Sequence, residues 1–162
     1  MWQIEDLVRA NGLDIDKIQA NIIDKYTDLS ERQSHEMRDW YESLIDMMRR
    51  EDVKTHGHLQ INRNTLLDLE RLHRELLHDP KEAAYSAEFY KTLPYIVEIR
   101  AKAGDAKVDE IETCFTALYG LLLLRIQGKD ISKETLDAGA QISRFLARLA
   151  KAYKEEAERD NG

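Results

Sequence analysis

The sequence predicts an all-α fold, an antiparallel multi-helix bundle of about six to seven helices around a central apolar helix. Three observations carry that expectation. Only nine of the 162 residues are Gly or Pro, seven and two respectively, where average usage of about 12% would give roughly nineteen. Turn-rich all-β chains need more of both. Apolar side chains recur three and four residues apart, the helical period, rather than alternately. N-capping residues and Gly-containing stops punctuate the chain at helix-length intervals. A hydrophobic fraction of 43% against 34% charged is too apolar for a disordered chain and fits a soluble globule. At this length one domain, 1–162, is expected, with a charged tail that frays from about Lys154.

The elements follow in order. A short first helix runs from Met1 to Ala10 and stops at Asn11-Gly12. A second, from about Asp14 to Tyr26, carries the stripe Ile15, Ile18, Ile22 and Tyr26. Ser30 caps the third, which reaches about Glu51 with Met37, Trp40, Tyr41, Leu44, Met47 and Met48 on one face. Residues Asp52–Asn62 break the pattern. They form the longest connection, contain Gly57, His56 and His58, and are expected to hold a short extended piece at Leu59–Ile61. A long connection is a candidate functional loop. Asn62 or Asn64 caps the fourth helix, which ends near His78 before Asp79-Pro80. Ser86 caps the fifth, which ends at Gly104 and contains Pro94, a residue that bends a helix or marks a late start. The sixth covers about Lys107 to Gln127 and stops at Gly128. Leu121–Leu124 is apolar nearly all round, which assigns this helix the central place. Ser132 caps the seventh, with Glu134 in its first turn. There Gly139 lies close to the stripe of Ile142, Phe145, Leu146, Leu149 and Tyr153. A helical glycine costs about 1 kcal/mol against alanine, so a neighbouring helix is expected to approach closely.

The charge balance of 24 basic and 31 acidic residues, net -7, disfavours a nucleic-acid binder, which needs a dense positive face. Arg49, Arg50, Lys54 and Arg63 are interrupted by Glu51 and Asp52 and read as solvated surface. Cys114 is the single cysteine, so no intrachain disulfide can form, and a reducing, cytoplasmic setting is expected. The start lacks the pattern of a signal peptide. The apolar run Thr116–Leu124 is far short of the roughly twenty residues of a membrane span.

Polar residues on apolar faces are the candidate site. Arg100 falls in the stripe of Phe89, Leu93, Ile96, Val97 and Ala103, and a guanidinium needs a partner when buried. Glu112 sits beside Val108, Ile111, Phe115, Leu118 and Leu122, so a pair between Arg100 and Glu112 is expected. The pair then sets helix register; otherwise Arg100 faces a pocket and binds an anionic ligand, or snorkels to solvent. His73 lies among Leu66, Leu69, Leu72, Leu76 and Leu77 and reads first as a hydrogen-bonded core histidine. Tyr119 joins the inner face of the sixth helix. Arg100, Glu112, Tyr119 and His73 are therefore the candidate ligand-binding residues, and His56 and His58 the loop candidates.

No catalytic residue, metal or cofactor is assigned. Glu70-x-x-His73 and Glu75-x-x-His78 resemble half of a di-iron carboxylate set, but both lie on one helix, and Glu75 and His78 point away from His73. Two loop histidines are too few for zinc. Cys114 packs as a small hydrophobe. The phosphate-loop, dinucleotide and nucleophile-elbow motifs are missing.

The segments MWQIEDLVRANGLDID, WYESLIDMMRRE, GHLQIN, FYKTLPYIVEIRAKAG and ETCFTALYGLLLLR together resemble a domain-of-unknown-function family of small all-helical bacterial proteins. The resemblance spans nearly the whole chain. It implies a single helical domain and carries over no activity, substrate, cofactor or catalytic residue. Members of that family begin with a further helical stretch before the segment similar to Met1–Ala10. Trp2, Leu7 and Val8 are then expected to belong to the second half of a longer helix, with an apolar surface either exposed or covered by a partner subunit. The functional expectation is a non-enzymatic interaction or scaffolding protein, a homodimer or one with a protein partner. The alternative is a small-molecule binder or enzyme that uses the inward polar cluster.

Overall fold

A computed structural model describes residues 1–104 and 108–160. Among these residues there are seven α-helices and no strand, as the composition and periodicity predict. They are α1 (Trp2–Ala10), α2 (Ile15–Asn21), α3 (Glu31–Arg50), α4 (Gln60–His78), α5 (Ala83–Ala103), α6 (Glu110–Ile126) and α7 (Lys133–Asp160). Single 3-10 turns at Ile23–Lys25 and Pro80–Glu82 complete the set. None of the described helices is long and apolar enough to cross a membrane. The expected helix start at Lys107 lies outside the described residues.

Local chemistry accounts for most boundaries. Asp14 accepts the Asp16 and Lys17 amides at the start of α2. Ser30 and Gln33 form a reciprocal capping box on α3, which satisfies two orphan donors. Asp109 accepts the Ile111 amide at 2.9 Å, and Ser132 Oγ accepts the Thr135 amide at 3.2 Å. Gly104, with φ of 71°, closes α5 in the left-handed region, where glycine avoids the steric penalty of a Cβ.

Three boundaries differ from expectation. Helix α2 stops at Asn21 and a separate 3-10 turn takes Ile23–Lys25, where a single helix to Tyr26 was expected. Helix α4 begins at Gln60, so neither Asn62 nor Asn64 caps it, and Gln60 and Ile61 are helical rather than extended. Its first amides are satisfied from elsewhere: Glu5 Oε1 accepts Leu59 N–H at 3.0 Å and Glu51 Oε2 accepts Gln60 N–H at 2.6 Å. Helix α5 begins at Ala83 rather than after Ser86. Asp79 accepts the Lys81 amide at 2.9 Å and launches a Pro80–Glu82 turn that leads straight into it.

The chain divides into two compact units, 1–64 and 65–162. In the first, Val8, Ile18, Ile23, Leu44, Met48 and Leu59 are buried in one core with Tyr41 and Ile45. Val8 is fully buried, and Trp2 and Leu7 are half-buried. The apolar side of α1 is thus largely covered within its own unit. Trp40 and Tyr26, expected on the inner stripes, are exposed.

In the second unit, Leu72 of α4, Tyr85, Phe89 and Ile96 of α5, Ile111 and Cys114 of α6, and Ile142, Phe145 and Leu149 of α7 share a core. Phe145 meets Tyr85 and Phe89, with ring centroids 5.6 Å apart in both pairs. Gln141, a turn earlier on α7, meets Thr92, further along α5. The two helices therefore run antiparallel. Helix α6 packs on both α5 and α7, yet its leucine run is not enclosed: Leu121 is buried, while Leu122, Leu123 and Ile126 are exposed.

Candidate functional site

The first unit is organised around one buried acid. Glu5 stands in the first turn of α1 on the same face as Val8, and its side chain is fully buried. Oε1 accepts Leu59 N–H at 3.0 Å and Asn62 Nδ2–H at 2.7 Å. Oε2 lies 2.6 Å from His58 Nδ1. The Trp2 ring stacks on the His58 imidazole, with centroids 4.6 Å apart. One turn on, Arg9 donates to the Val53 carbonyl at 3.2 and 3.1 Å and to the Gly57 carbonyl. The loop after α3 is thus tied to α1 by two side chains of opposite charge. A buried carboxyl group is tolerated only where donors surround it.

The two loop histidines do not converge. His58 is half-buried against Glu5, whereas His56 is exposed, its Nδ1 2.9 Å from Thr55 Oγ1. No group of three or more metal-ligating side chains is found among the described residues. Sequence reasoning singled out His58 but missed Glu5 and Arg9. The available signal was an acid three residues before the buried Val8, on the inward face of an amphipathic helix.

In the second unit Arg100 and His73, expected in one cluster with Glu112 and Tyr119, bond to different partners. Arg100 is half-buried at the end of α5 and reaches the start of α6. Its guanidinium donates to Thr113 Oγ1 at 3.2 Å, to Glu110 Oε1 at 3.3 Å and to the Val108 carbonyl. The acidic partner is therefore Glu110, and the expected pair with Glu112 is corrected. At about 100° per residue, Glu112 stands a quarter-turn or more around α6 from Thr113 and Glu110. Tyr119 follows Glu112 by seven residues on that same side, and both are half-buried.

His73 takes the core role. It is buried, its Nδ1 lies 2.7 Å from the Tyr85 hydroxyl, and its ring packs edge-on to Phe89 and Phe145. Burial holds its pKa below the ordinary imidazole value. The same desolvation raises Tyr85 well above the usual phenol range and pushes Cys114, also in this core, up to about 12. Glu70, one turn before His73, is buried, and desolvation, with Asp109 adding repulsion, raises its pKa. Glu75 and His78 are exposed, so the two Glu-x-x-His matches do not share a site.

An open groove of about 640 Å³ runs between α5, α6 and α7. Ile99, Leu121 and Ile142 line it with Glu98, Lys102 and Glu134. None of Arg100, Glu112, Tyr119 or His73 does.

A family model described as a domain of unknown function, DUF4924, matches residues 1–160. The chain belongs to that family. Comparison with curated proteins and with solved structures gives no match.

In this DUF4924 chain the face of α5 turned away from the core is also apolar. Ala83, Ala87, Tyr90, Pro94, Val97 and Ala101 recur four and three residues apart, and all are exposed. Tyr90 is 64% and Val97 56% exposed. Val97, expected in the inner stripe with Arg100, belongs to this outer one. Scattered single apolar residues on a surface are ordinary; here they form a continuous stripe along one helix.

Proposed function

We propose that the protein is a non-enzymatic interaction module of the bacterial cytoplasm, and that it docks protein through the outer face of α5. The exposed Ala83–Ala101 stripe carries this reading. Its a/d-type spacing is that of helices that pack on helices. The saturation of the polar groups supports it further: Arg100, Glu5 and His73 each have their bonds within the chain, and a group so engaged is a structural element before it is a ligand site. A small-molecule site for anions at Arg100 gains less support, because its guanidinium is already shared among three acceptors.

A photoreactive residue placed at Val97 in the living cell tests the docking. Adducts to protein are expected from position 97 and not from Arg148, an exposed position on α7. They should vanish when Tyr90→Glu is added. Equal yields from positions 97 and 148, or none from either, would remove the docking role of this face.

A further inference from the structure

We infer that the occupant of the α5 face is a second copy of this chain, packed antiparallel across a two-fold axis near residues 95 and 96. This rests on the docking role just proposed and names its partner. Three features of α5 point to it. The first is the spacing. Ala83, Ala87, Tyr90, Pro94, Val97 and Ala101 form an unbroken run of alternating four- and three-residue steps, all exposed, which is the seam of a two-helix contact.

The second is size complementarity. In an antiparallel pair each residue of one seam position faces one of the other kind. A two-fold between residues 95 and 96 sets Pro94 against Val97 of the partner subunit and Tyr90, the one large side chain, against Ala101 of the partner subunit. Both contacts then occur twice, as an isologous interface requires.

The third is charge. Lys91 and Glu98 lie seven residues apart on one flank of the seam, and both are exposed. Glu98 also pairs with Lys102 at 2.6 Å within its own helix. In the antiparallel register Lys91 faces Glu98 of the partner subunit, and Glu98 faces Lys91 of the partner subunit. A parallel pair would instead bring Ser86 to Lys91 and Leu93 to Glu98, neither of which is a pair of opposite charges. Complementary flanking charges set partner and orientation in such contacts. The seam from Ala87 to Ala101 spans about 21 Å at 1.5 Å per residue. The contact is therefore short, and the dimer is expected to dissociate on dilution.

Sedimentation equilibrium on the full chain, from about 1 µM to 1 mM, reads the association. The expected result is a mass that rises from 18.9 kDa toward twice that value. Val97→Glu should weaken association at least about tenfold. Lys91→Glu alone and Glu98→Lys alone should each weaken it, and the two together should restore it, with circular dichroism showing all four variants folded. A monomer throughout the range would overturn the inference, as would a dimer indifferent to Val97→Glu. A dimer that loses affinity in both single charge variants and does not regain it in the double would overturn the antiparallel register. Adducts from position 97 to a different protein, with a monomeric chain, would refute self-association and leave the docking role of the face intact.

Discussion

Gly139 of α7 lies directly against Leu121 of α6. A Cβ built on the glycine would stand 2.5 Å from Leu121 Cδ2, well inside contact distance. Both residues also line the groove between α5, α6 and α7. The missing side chain is what lets the two helices approach, and it explains a mid-helix glycine that local propensity alone disfavours. Gly139→Ala gains about 1 kcal/mol of helix propensity but forces the Leu121 Cδ2 methyl to turn within the open groove that both residues line, an off-rotamer shift that costs about 0.5–1.5 kcal/mol. The expected net effect in urea unfolding is close to zero, the two contributions offsetting each other. In a Leu121→Ala background the same change should be stabilising, because the obstructing methyl is gone. Equal effects of Gly139→Ala in both backgrounds would show that the close approach is not what fixes the glycine.

The tight spot at Gly139 was legible in the sequence because it rests on a local contradiction, a glycine beside an apolar stripe. The helix count was legible for the same reason. Caps at Ser30 and Ser132 and the stop at Gly104 act within a few residues, and the chain states them directly. The start of α4 was not, because its amides are satisfied by Glu51, nine residues away, and by Glu5, more than fifty away. No window of sequence contains that arrangement.

Helices α5 and α6 show the second limit. Both are apolar on more than one side, so a helical wheel does not reveal which side meets the core. Val97 and Leu122 were accordingly placed inward, and both are exposed. Arg100 was recognised as a cation on the core side that needed a partner. Which of two first-turn acids would supply it depended on the rotation of α6, and the choice fell on Glu110.

The Glu5 centre holds the loop after α3 to α1, so its loss should be felt at residues 53–62. Glu5→Ala leaves the Leu59 amide and the Asn62 side chain without their acceptor, and a buried donor left unpaired costs about 1–3 kcal/mol. A loss of about 3 kcal/mol is expected in urea unfolding, with faster hydrogen exchange at the Leu59 amide. Glu5→Gln should cost less, because its amide oxygen still accepts from Leu59 and its nitrogen can donate to His58 Nδ1 once the ring proton moves to Nε2. If Glu5→Ala and Glu5→Gln unfold at the same urea concentration as the parent chain, this centre does not stabilise the unit.

His73 gives the protein a defined response to acid. Desolvation lowers its folded-state pKa below 6.5; the charges of Asp109 and Glu110 oppose this, and Arg74 adds to it. Between the folded and unfolded pKa values the unfolded chain therefore binds more protons than the folded one. Stability falls as pH drops through 6.5 and levels off once the pH is below the folded-state value. His73→Gln removes this titration and keeps a group able to bond the Tyr85 hydroxyl. The variant should be less stable than the parent at pH 8, by about 1–2 kcal/mol for the altered buried hydrogen bond. Its urea midpoint should then decline less steeply than the parent's between pH 7 and pH 5, so that the two curves converge. Parallel curves over that interval would mean that His73 takes up its proton equally well in the folded and unfolded chain, contrary to its burial among Tyr85, Phe89 and Phe145.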